Sequence, residues 1–96
     1  MTPADLDAFR AVMASLASAF PSPWMQEDRA KLRLMTYWRV LAPYSLDDVS
    51  AAEEALLREW RPTRWEAFPA PATWRDAVLD IRRERARRAV ATHMLS

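Results

Sequence analysis

An all-α fold, a small bundle of four helices, is what this sequence predicts, and three observations carry the prediction. The 96 residues include no glycine. Glycine supplies the positive-φ positions of hairpin turns and bulges, so its absence weighs against a β-sheet protein. Seven prolines stand ready to end helices instead. Three segments also open with a hydroxyl residue followed three places later by an acid: Thr2 with Asp5, Ser45 with Asp48, and Thr73 with Asp76. The hydroxyl accepts from an unpaired amide of the first turn, and the acid suits the positive end of the helix dipole.

The first helix is expected over residues 3–20. Pro3 takes the first helical position, where a missing N–H costs nothing. Leu6, Phe9, Met13, Leu16 and Phe20 recur at steps of three and four and form one apolar stripe. Pro21 and Pro23 stop it. The second helix is expected over 26–42, with Leu34, Trp38 and Leu41 on one face, Met35 and Tyr37 widening it, and Pro43 at its end. The third is expected over 46–60 and carries Val49, Ala52, Leu56 and Trp60. A Pro-rich loop, 61–72, follows. Its three prolines in twelve residues argue against continuous helix.

The fourth helix is expected over 74–90. Its apolar stripe holds Trp74, Val78 and Ile81, and then the same face continues as Arg85 and Arg88. Greasy positions stop while helix-favouring residues continue. The chain therefore divides into a helical core, 1–81, and a basic helical extension with a short tail, 82–96. Five arginines crowd the seven positions 82–88.

Length and composition bound the rest. Ninety-six residues, 51% of them hydrophobic, suit one domain with a real core. There is no cysteine, hence no disulfide, thiolate nucleophile or Cys-based zinc site, which suits a cytoplasmic protein. The longest apolar stretch, 11–20, is far too short to span a bilayer, so no membrane partner is expected. Asp5 and Asp7 stand where a signal peptide would be basic. The net charge of +1 hides an asymmetry: residues 1–60 carry six Lys/Arg against nine Asp/Glu, and residues 61–96 carry eight arginines against four acids. Such polarity suits an acidic partner, protein or nucleic acid.

Catalytic chemistry finds little to stand on. The one histidine, His93, lies three residues from the end and reads as a frayed terminal side chain. The acid pairs Asp47–Asp48 and Glu53–Glu54 are adjacent in sequence, and helical neighbours diverge by about 100°, so neither converges as an acid/base couple. Without glycine no Walker-type phosphate loop forms. The expectation is a protein that is not an enzyme and needs no metal or cofactor.

Binding residues stand out more clearly. Arg82, Arg83, Arg85, Arg87 and Arg88 form the main candidate surface, and Arg61, Arg64 and Trp65 of the loop join them. The bland alternative is a solvated helix end whose cations suit the negative C-terminal dipole. Gln26 is the only Gln and there is no Asn, so base-edge readout of DNA is poorly supplied, whereas phosphate contact stays open. Of the five tryptophans, Trp38, Trp60 and Trp74 fall on inner faces. Trp24 and Trp65 sit in proline-flanked connections, where they either cover the core edge or stand exposed as anchors.

The order of short motifs resembles a known family. Phe20-Pro21 ends the first helix, Tyr37-Trp38-Arg39-Val40-Leu41 lies in the second, and Tyr44-Ser45-Leu46-Asp47-Asp48-Val49-Ser50-Ala51-Ala52 opens an acid-rich third. Phe68-Pro69-Ala70-Pro71-Ala72-Thr73 then leads into another helix. Over residues 5–81 this is similar to the small bacteriophage DNA-replication proteins that load and inhibit the replicative helicase. The resemblance implies a helical domain that binds the hexameric helicase, holds it inactive and delivers it to an origin-bound initiator. In that family a flexible C-terminal segment grips the helicase. Here only 91–96 follows the expected fourth helix, so the arginines of 82–88 would do more of that work. Two other readings stand beside it. One is a non-specific nucleic-acid-binding accessory protein using the same arginines. The other is self-assembly, with the arm of one copy meeting Asp47, Asp48, Glu53 and Glu54 of another.

Overall fold

Helix ends and apolar stripes place four α-helices along the chain. The computed structural model describes residues 1–21 and 27–95. Among these, α1 spans Leu6–Ala19, α2 Glu27–Leu41, α3 Leu46–Glu59 and α4 Pro71–Leu95, and no strand occurs. The all-α fold class stands. Trp24, Pro23 and the expected start of α2 at Gln26 lie outside the described residues.

Two of the three N-terminal signals form their expected local pairs. Pro3–Asp5 forms a 3-10 turn ahead of α1, and the Asp5 carboxylate accepts from the Thr2 amide at 2.8 Å. Ser45 caps α3: its Oγ accepts the Asp48 amide at 3.2 Å, satisfying a first-turn donor that the helix leaves unpaired. The third expected cap is corrected. α4 begins at Pro71, not Trp74, and Thr73 lies inside its first turn. The Trp74 amide donates to the Ala70 carbonyl at 3.1 Å, which makes Ala70 the capping residue. Pro71 follows at the first helical position, its fixed φ already helical.

The stripes meet around one tryptophan. Trp74 is fully buried, with Phe9 of α1 at 5.9 Å and Tyr37 of α2 at 6.0 Å between ring centroids. Its indole N–H donates to the Val49 carbonyl of α3 at 3.2 Å, so one side chain ties α4 to all three other helices. Met13, Leu16, Leu41, Ala52, Leu56 and Val78 complete the interior. Trp38 is only half-buried, packed edge-on to Phe9 at 5.5 Å, and it is Tyr37 that faces inward.

The connection before α4 is built, not loose. Phe68 and Pro69 are buried in it. The Tyr37 hydroxyl donates to the Pro69 carbonyl, and the Trp60 indole donates to the Ala67 carbonyl at 3.3 Å. Burial pushes the Tyr37 hydroxyl up to about 12, which keeps it a neutral donor. Glu66 closes the segment, its carboxylate accepting the Ala70 amide at 3.2 Å.

Candidate partner-binding arm

α4 is 25 residues long, about 37 Å at the rise of an α-helix. Its core-facing side chains run from Trp74 through Val78 to the half-buried Ile81. From Arg82 to Met94 every residue is exposed except the half-buried Glu84. The C-terminal end of α4 thus adds no buried residue beyond Val78 among the described residues, and the molecule has extents of 53 × 32 × 18 Å. The expected length of α4 is corrected: the helix continues to Leu95, so His93 sits in a helical turn instead of a frayed tail.

The five arginines do not act as one free cluster. Arg85 pairs with the Asp48 carboxylate of α3, and the Arg82 guanidinium lies 5.7 Å from the ring centre of Tyr44. These two bracket the root of the arm against the start of α3. The face that carries Trp74, Val78 and Ile81 thus continues as an ion pair one turn further on. Arg83 reaches Asp80 at 3.2 Å. Glu84 serves both Arg87, at 2.7 Å, and Arg88, at 3.2 Å. These last three arginine side chains stay 72%, 76% and 78% exposed. Exposed pairs three and four apart on a helix contribute only about 0.3–0.5 kcal/mol each, so they exchange readily for an outside anion.

The loop candidates lie elsewhere. Trp65 is 87% exposed, with the Arg64 guanidinium 5.5 Å from its ring. It rides on a turn in which Thr63 Oγ1 accepts the Glu66 amide at 2.9 Å, and the Thr63 amide donates to the Glu66 carbonyl at 3.0 Å. Trp65 borders a groove of about 430 Å³ shared with Thr36, Phe68 and Pro71. That groove stands at the first turn of α4, eleven residues or about 16 Å of helix from Arg82. Arg61 is also exposed in this connection. The structure separates Arg61, Arg64 and Trp65 from the arm, so they do not form one surface with Arg82, Arg83, Arg85, Arg87 and Arg88.

Two features escape the sequence reading. Ala86, Val90 and Met94 line the outer side of the arm, with Val90 59% and Met94 79% exposed. Their spacing of four is the signal that finds them. Glu53 of α3, one of the acids offered above to a second copy's arm, is 6% exposed, and its Oε1 has no hydrogen-bond partner among the described residues. Burial raises its pKa, against an opposing hydrogen bond from Ser15, with Glu54 adding to the rise. With Glu53 inside and Asp48 already paired with Arg85, two of the four acids proposed to receive a second copy's arm are spoken for.

No group of three or more His, Cys, Asp or Glu side chains among the described residues could hold a metal ion. No helix among them is long and apolar enough to cross a membrane. No protein-family profile, curated protein or solved structure matches the chain.

Proposed function

We propose that this chain is a replication accessory protein that acts by stoichiometric contact, without catalysis of its own, and that its basic arm reaches the partner. By its motif order, the partner is the replicative DNA helicase, which the chain holds inactive or loads, as the phage proteins it resembles do. The observation that supports an arm-borne function is the continuation of α4 for about four turns past its last core residue, Ile81. Past the contacts of Arg82 and Arg85 at its root, this helix end adds no residue to the buried core and carries five arginines. Mixing the chain with the cognate hexameric helicase tests the assignment. A complex at micromolar concentration and low salt, with altered ATPase or unwinding, is the expected result. No complex under those conditions contradicts it.

A second reading is non-specific nucleic-acid binding, supported by the exposed guanidinium groups of Arg83, Arg87 and Arg88. It expects tight binding to single- and double-stranded DNA with a steep salt dependence, and none to the helicase.

A further inference from the structure

The arm carries an apolar line as well as charge. Ala86, Val90 and Met94 are spaced by four, so their side chains stack along one side of the helix. With Arg87 and Ala91 they line a shallow furrow of about 360 Å³. At about 100° per residue, this line is turned by roughly 120–140° from the face that meets the core through Val78 and Arg85. It therefore looks into solvent, as the exposures of Val90 and Met94 confirm. Arg83 continues the same line toward the core, and Arg87 stands at its margin.

We propose that the arm docks as a helix in the groove of a partner protein, seating Ala86, Val90 and Met94 on an apolar floor and pairing Arg83 and Arg87 with acidic rims. This rests on the arm being the working surface and names the chemistry of what it meets. Charge selects the occupant. Residues 82–95 hold five arginines and one acid. Laying this line against the same line of a second copy would bring two arginine rows within a screening length of about 10 Å. Nucleic acid would engage the arginines and leave Val90 and Met94 in water. An apolar groove with acidic rims satisfies both. Methionine suits such a seat, since its unbranched side chain adapts to the floor it finds. The pairs that now hold Arg83 and Arg87 are exposed and weak, so they yield to a partner carboxylate with little loss.

The test uses the full chain and two synthetic peptides of equal acidic charge and identical composition. One forms an amphipathic helix with a leucine seam at heptad spacing, and the other is scrambled so that no seam forms. The seam peptide is expected to bind at least about tenfold tighter. Val90→Ser with Met94→Ser should erase that preference while leaving circular dichroism and melting unchanged. Arg83→Ala with Arg87→Ala should weaken both peptides alike. Equal affinity for the two peptides, including no binding to either, overturns the proposal, as does a preference that survives the Val90/Met94 change. A dimer in sedimentation that depends on Val90 and Met94 also overturns it, assigning the line to a second copy. Seam-dependent binding without any helicase binding leaves the docking mode standing and removes only the helicase.

Discussion

The Arg85 guanidinium meets the Asp48 carboxylate across 37 residues of sequence and fastens the root of the arm to the first turn of α3. Asp48 is mostly buried and Arg85 half-exposed, with side-chain exposures of 14% and 53%. Asp48 sits in the first turn of α3, where a negative charge is already favoured. The pair should therefore orient the arm more than it stabilises the fold. A double-mutant cycle of Asp48→Ala and Arg85→Ala, read by urea denaturation, should give a coupling of about 0.5–1 kcal/mol.

Trp74 should dominate core stability. It is fully enclosed and its indole N–H is satisfied by Val49. Trp74→Ala should cost about 3–5 kcal/mol, whereas the half-buried Trp38→Ala should cost visibly less. Chemical denaturation of the two variants checks the order.

The Tyr37 hydroxyl holds the connection before α4 through the Pro69 carbonyl. Tyr37→Phe should strip a buried carbonyl of its donor and cost about 1–3 kcal/mol. In the wild type, spectrophotometric titration should find this phenol still neutral until about pH 12.

The buried Glu53 should make stability fall as pH rises. Its pKa in the fold is raised by burial, so the folded state holds the proton more tightly than the unfolded chain does. The penalty of the buried carboxylate is absent below the unfolded value, near 4.5, and complete above the raised folded value. The comparison is made against a variant so that the titration of every other group cancels. The stability of Glu53→Gln relative to wild type, measured by thermal melting from acidic to neutral pH, should increase with pH.

Much of this fold was legible because its signals are local. The stripe Phe9, Met13, Leu16 and the Ser45 cap each lie within one helix, and both are realised. What escaped depends on neighbours remote in sequence or in chemistry. The start of α4 moved to Pro71 because a carboxylate four residues upstream, Glu66, serves the amide of Ala70. Tyr37, already placed at the edge of the inner face, is buried more deeply than Trp38, and the remote Pro69 carbonyl gives its hydroxyl a partner. Glu53 is buried because α3 presents that side to α1, where Ser15 hydrogen-bonds it. In the arm, the arginines were plain and the line of Ala86, Val90 and Met94 was not, since the residues between them, Arg87, Arg88, Ala89, Ala91, Thr92 and His93, are charged, polar or alanine. Arg85 looked free because its partner lies 37 residues away.

The most direct test replaces Arg83, Arg87 and Arg88 together with alanine and measures helicase affinity and melting side by side. These three anchor nothing in the core, so the melting temperature should stay within about 2 °C while affinity falls by roughly tenfold or more. Unchanged affinity, or a collapse of the fold with it, would contradict an arm that lies outside the core and does the binding.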